Sequence, residues 1–154
     1  GRPRIGGAGW DGEDDPGSHA FNGRTDRTRL MFDSYGKAYV YLCYGMYDLL
    51  NVTTMCDSVG AVLIRAVEPV EGVERMRDNR GFEEVEKLAD GPGKLTQAFE
   101  IDRSFNGCDL TSGALRIESR GCPVPVESSG RVGLSQGGDL RLRFFDADSC
   151  FVSK

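Results

Sequence analysis

The sequence predicts an α+β domain, with strands before and after a helical middle. Three observations carry that expectation. Runs of apolar, β-branched and aromatic residues occupy 37–44, 49–54 and 60–69 and return at 140–145. Charged segments with apolar residues three or four apart fill much of 70–101. At 154 residues, the chain is long enough for one domain with its own core and no disulfide staples.

Each element follows from local composition. Residues 1–36 are rich in Gly, Asp and Arg and read as loops and turns. KAYVYLCY (37–44) is the best strand, with Tyr39, Tyr41 and Cys43 on one face and Ala38, Val40, Leu42 and Tyr44 on the other. LLNVTT (49–54) is its hairpin partner, with Tyr44, Gly45, Met46 and Tyr47 near the tip. GAVLIRAVEP (60–69) is apolar enough for a central strand. Val70, Val73 and Met76 set a short helix that begins after Pro69 and stops at Gly81. FEEVEKLAD (82–90) predicts another turn or two, and GPGKLTQAFEI (91–101) a further helix. Beyond Asn106 the expected strands are ALRIES (114–119), RVGLS (131–135) and LRLRFF (140–145), with a loop over 121–130.

Composition narrows the function. Net charge is −5, which weighs against a generally basic nucleic-acid binder but not against a local cationic patch. No apolar run reaches the ~20 residues of a membrane span, and no apolar leader is visible. Five cysteines (Cys43, Cys56, Cys108, Cys122 and Cys150) show no CxxC spacing and read as reduced thiols.

Several stretches invite chemistry. Asp11, Glu13, Asp14 and Asp15 cluster beside the lone histidine, His19, but lack the alternation of a calcium loop, and a single His is a poor metal anchor. GPGKLT (91–96) reads as a Gly/Pro turn before a helix or as a single backbone-phosphate contact. It lacks the Gly and Ser/Thr positions of a Walker A loop. GRTDRTR (23–29) is the densest basic segment, a solvated surface or a set of phosphate-matching guanidiniums. Core packing suits Tyr39. Tyr44, Met46 and Tyr47 differ, because aromatic residues and a methionine at a hairpin tip suggest something to insert into or stack against, of which a wedge between base steps is one known use.

These motifs stand in a familiar order. The chain resembles the alkyladenine (3-methyladenine, or N-methylpurine) DNA glycosylases through GEDDPGSHAFNGRTDRTRLMF (12–32), GKAYVYLCYGMYDLLNV (36–52), VLIRAVEPVEGVERMR (62–77), GPGKLTQAFEI (91–101), DL (109–110), RVG (131–133) and LRFF (142–145). The resemblance implies one mixed α+β domain over 1–154, with a curved, largely antiparallel sheet, flanking helices and a protruding β-hairpin, and without the family's upstream segments. It implies a monofunctional base-excision repair hydrolase. Such an enzyme flips alkylated or deaminated purines of the 3-methyladenine, hypoxanthine and ethenoadenine class out of duplex DNA and hydrolyses the N-glycosidic bond, leaving an abasic site. The implied partner is damaged double-stranded DNA. No cofactor, metal, membrane or protein partner is implied, and a monomer is expected. The expected location is the cytoplasm, at the nucleoid in a prokaryote or in the nucleus of a eukaryote.

Site residues carry over by motif. Tyr44 would fill the gap left by the flipped nucleotide, with Met46 beside it. Tyr41 would stack on the extruded base, His19 would hydrogen-bond near it, and Trp10 would stand where the family has a second stacking tyrosine. Asn51 would crowd the exocyclic amine of guanine. Arg65 would hold the water and a phosphate. Because the chain is acidic overall, only a local face can be positive towards the DNA backbone, and Arg24, Arg27, Arg29, Arg65 and Lys94 are the candidates for it. One position departs from the pattern: Ala8 occupies the place of the glutamate that activates water, and an alkyl group cannot act as a base. Three readings follow. Residues 1–9 are an altered segment, a displaced acid such as Asp11 or Glu13 serves instead, or the chain binds lesions without cleaving them.

Overall fold

The structure is a computed structural model that describes residues 5–54, 59–119 and 124–152. Six strands form one antiparallel sheet: β1 (Ile5–Asp11), β2 (Tyr35–Cys43), β3 (Tyr47–Thr54), β4 (Gly60–Val67), β5 (Val126–Ser129) and β6 (Arg143–Asp146). Their order is β2-β3-β4-β1-β6-β5. Among the described residues three short α-helices accompany the sheet: α1 (Arg29–Asp33), α2 (Val73–Arg80) and α3 (Pro92–Ala98). The α+β class stands.

Register divides the sheet into two faces. Ala38, Val40, Leu50 and Ile64 point one way and pack with Ala89, Leu95, Ile101 and Leu110 beneath the helical segments. The cross-strand partners Tyr39–Asn51, Asn51–Leu63, Leu63–Ala8 and Ala8–Arg143 share the other face, as do Trp10 and Ala61. Period 2 adds Tyr41 and Arg65 to it. Ala20 and Met31, from the segment after β1, cover part of this face.

Four expectations need correction. Residues 5–11 form a strand, not a loop. IGGAGWD has little intrinsic strand preference, and its order comes from pairing with β4 along its length and with β6 at Gly7 and Ala8. Residues 114–119 stay outside the sheet: the Ile117 N–H bonds back to the Leu110 carbonyl and Leu115 packs on the helical core. Residues 131–135 form no strand, because Arg131 is drawn into a buried ion pair. The loop expected over 121–130 instead contributes β5, which pairs with β6. FEEVEKLAD holds one helical turn, of 3-10 type, at Val85–Lys87, in keeping with expectation. Cys43, Cys108 and Cys150 are free thiols; Cys56, Cys122 and the side chain of Asp11 lie outside the described residues.

Candidate active site

The tip of the β2–β3 hairpin is a three-residue loop. Tyr44 (φ 51°) and Gly45 (φ 69°) both adopt left-handed backbone, and the Met46 N–H bonds to the Cys43 carbonyl at 3.1 Å. A tyrosine in that conformation costs about 1 kcal/mol, so the turn holds its ring outward at an energetic price. Tyr44 is 87% exposed and Met46 69%, a large apolar surface with no intramolecular cover. Helix α3 braces the base of this hairpin. The Thr96 hydroxyl donates to the Asp48 carbonyl at 2.6 Å, and a Cβ on Gly93 would lie 2.9–3.0 Å from the Tyr47 ring. Packing therefore accounts for GPGKLT, and Lys94 pairs with Asp90 at 2.7 Å.

Below the tip, three rings meet. His19 Nδ1 lies 3.0 Å from the Tyr39 hydroxyl, and the His19 and Tyr41 rings meet edge to face at 4.4 Å. Tyr39 and Tyr41 are 5.4 Å apart. His19 opens a 3-10 turn capped by the Ser18 hydroxyl, which accepts from the Ala20 N–H and fixes the approach of the imidazole. Burial, helped by the Arg27 charge, lowers the His19 pKa to about 4, so the ring is neutral near pH 7. Burial raises both phenols, keeping them protonated. The Arg27 guanidinium lies 5.1 Å over the Tyr41 ring.

Trp10 enters from β1. Its Nε1–H donates to Asn51 Oδ1 at 3.1 Å, and the Asn51 amide donates to the Tyr39 carbonyl at 3.1 Å. Asn51 is completely buried, which locks its orientation. The Arg131 guanidinium sits 5.1 Å over the Trp10 ring and forms a bidentate pair with Asp15; both side chains are 1% exposed. Ala8 is 1% exposed, between Leu63 and Arg143 in register. Burial and the neighbouring Arg143 charge lower the Arg65 pKa, and Tyr41 lies within electrostatic reach of Arg65.

The aromatic face thus gathers Trp10, His19, Tyr41, Asn51 and Arg65, with Tyr44 and Met46 projecting from the adjoining tip. The expected backbone cations do not share one face. Arg27 joins the rings, Arg24 is exposed and paired with Asp33, and Arg29 is exposed at the start of α1. Lys94 belongs to the layer on the opposite side of the sheet, because its neighbour Leu95 is buried there. Of the acids after Trp10, Glu13 and Asp14 are exposed and Asp15 is committed to Arg131. Among the described residues no three His, Cys, Asp or Glu side chains gather to hold a metal. No helix among them is long and apolar enough to cross a membrane.

Sequence reading missed three members of this constellation. Asp15 and Arg131 lie 116 residues apart, and no local pattern pairs them. Arg143 becomes a neighbour of Ala8 only through the register of β6 on β1.

An exposed aromatic tip thus adjoins a cluster of packed rings with the Arg27 guanidinium over Tyr41. Residues 9–150 match the methylpurine-DNA glycosylase family model. A Chlorobium phaeobacteroides protein bearing the name 3-methyladenine DNA glycosylase is 46% identical over 144 residues, 92% of this chain and 72% of that protein. Proteins of the same name from Methanoculleus marisnigri and Carboxydothermus hydrogenoformans are each 42% identical, over 91% and 92% of this chain and 76% of their own lengths. The chain belongs to the methylpurine-DNA glycosylase family, DNA-repair enzymes that remove damaged bases.

Proposed function

We propose that this protein recognises alkylated or deaminated purines in duplex DNA by extruding them into the aromatic recess, and acts there as a base-excision glycosylase. One observation carries the reading: Tyr44 stands exposed on a strained turn next to the ring cluster of His19, Tyr39, Tyr41 and Trp10. Tyr44 fills the vacated stack, with Met46 beside it in the minor groove. The extruded purine stacks on Tyr41, with Trp10 as a second wall. A neutral His19 offers a hydrogen bond without repelling a positively charged methylpurine. Asn51, fixed by Trp10 and Tyr39, crowds the exocyclic amine of guanine. Arg65 holds a phosphate and the attacking water. Hydrolysis adds water oxygen to the sugar C1′ as the C1′–N bond breaks; the water proton goes to solvent when a cationic methylpurine leaves and to the departing ring nitrogen when a neutral purine does.

Ala8 favours a second reading, in which recognition persists and hydrolysis is lost. A buried methyl group lies where the family's water-activating glutamate belongs, and Asp15 cannot substitute while held by Arg131. Single-turnover incubation of duplex containing hypoxanthine or ethenoadenine with excess protein separates the two. Abasic product supports the glycosylase; damage-selective binding without product supports the lesion binder. Absence of damage-selective binding overturns both. The protein acts on its DNA as a monomer, which sedimentation of the free and bound forms tests.

A further inference from the structure

We propose that Arg131 is a positioning residue for the base pocket: with Asp15 it forms a buried bracket that fixes the Trp10 indole and the β1 backbone, and thereby sets discrimination between damaged and undamaged DNA. The proposal rests on Trp10 serving as a pocket wall.

The bracket begins where the sheet runs out. On the β6 side, β1 has ladder partners only at Gly7 and Ala8. At Gly9, immediately before Trp10, the 131–142 segment supplies what a strand would have given. The Gly9 N–H donates to the Leu142 carbonyl at 2.7 Å, and Arg131 Nη1 donates to the Gly9 carbonyl at 3.2 Å. The same guanidinium reaches Asp15 at 2.5 and 2.6 Å and the Gly137 carbonyl through Nε and Nη2 at 3.2 and 2.8 Å. Asp15 in turn accepts from the Gly17 N–H at 2.9 Å.

Two glycines make room for this packing. A Cβ on Gly17 would lie 2.9 Å from Arg131 Nη2, and one on Gly137 2.6 Å from it. One planar fork therefore ties together β1, the acidic loop after Trp10 and the C-terminal loop. Trp10 is held at its edge by Asn51 and over its face by Arg131. Asp15 matches the guanidinium charge, so the wall behind the base is neutral overall and accepts a cationic purine.

Arg131→Lys keeps the charge but removes the fork. Gly17→Ala keeps every charge and pushes on Nη2. Both are read by emission and acrylamide quenching of Trp10, the chain's only tryptophan. Both are also read by Kd for ethenoadenine duplex against the undamaged duplex. The expected result is more quenching and a loss of about tenfold in the affinity ratio, with undamaged-duplex affinity within about twofold of the parent. A merely structural role would lower both affinities together with the folded fraction and leave quenching of the folded protein unchanged; that result overturns the proposal. Gly17→Ala retains both charged side chains and displaces the fork by a single methyl group, so it decides the matter where Arg131→Lys does not fold. If the parent protein shows no preference for ethenoadenine, the reading of the pocket fails instead, while Trp10 quenching still tests the bracket.

Discussion

The β2–β3 hairpin and strand β1 contribute side chains to the same face of one sheet, yet they are built by opposite means. The hairpin is rich in Tyr, Val and Leu, pairs continuously from Ala38–Val52 to Cys43–Tyr47, and would favour extended backbone in most settings. Strand β1 is Ile-Gly-Gly-Ala-Gly-Trp-Asp and depends on β4, β6 and the Arg131 bracket for its order. The hairpin carries every group to which the proposed reading gives a recognition role on it: Tyr41, Tyr44, Met46 and Asn51. β1 carries one aromatic wall and, at Ala8, a methyl group where chemistry requires a carboxylate. On the proposed reading, recognition and bond cleavage fall to regions of different robustness, and loss of the second leaves the first in place.

The sharpest way to break that contrast is Ala8→Glu. The new carboxylate would stand beside Arg143 in register, on the face that bears Arg65. The expected gain in single-turnover excision is about 10²- to 10⁴-fold, the usual contribution of a positioned general base. An unchanged rate in a folded variant would show that β1 lacks the geometry as well as the residue.

Next in size is Tyr44→Ala. Removing the exposed ring should weaken binding to ethenoadenine duplex by about 10- to 100-fold, the worth of one stacked aromatic, with little change in melting temperature. Equal losses on single-stranded DNA would indicate a general stacking surface rather than a wedge.

Gly93→Ala probes the brace behind the hairpin. Alanine normally favours a helix over glycine by about 1 kcal/mol. Here the added methyl meets the Tyr47 ring, and such overpacking costs about 1–3 kcal/mol. The melting temperature should fall despite the better helix former, and lesion affinity should drop a few-fold as the tip shifts. A rise in melting temperature would remove α3 from the account of how the wedge is held.

Legibility in the sequence follows the same divide. The hairpin, β4, α2 and α3 announce themselves through period and turn residues, and the recognition groups Tyr41, Tyr44, Met46 and Asn51 ride on them. Strand β1 does not, since glycine carries no periodic signal and pairing alone makes it extended. Asp15–Arg131 is equally silent, because a contact spanning 116 residues leaves no local trace. ALRIES has the alternation of a strand but joins neither edge of the sheet: residues 107–110 already bond to β2 at Gly36 and Ala38, and the Ile117 amide turns back to Leu110. Alternation marks a surface to be half buried, and a loop packed on the core satisfies it as well as a ladder does.

The smallest expected effect concerns acid. His19 sits near pKa 4 in the folded state against 6.5 when free, so between those values the unfolded chain binds the extra proton. Stability conferred by this site is therefore lost as pH falls from 6.5 towards 4, and it stays flat below. The ring is partly open to solvent, which limits the loss to about 1 kcal/mol. Asp109, held below the usual carboxylate range by its bonds to Lys37 and Thr111, and Asp102, held down by Ser104, act in a lower window. Their contribution is present above pH 4 and fades only beneath it. Denaturant melts of the parent and of His19→Gln between pH 7 and 3 separate the two. The variant should lose the slope above pH 4 and retain the fall below it. An unchanged upper slope would mean that His19 is not held neutral against Tyr39, and that hairpin and histidine do not share one buried recess.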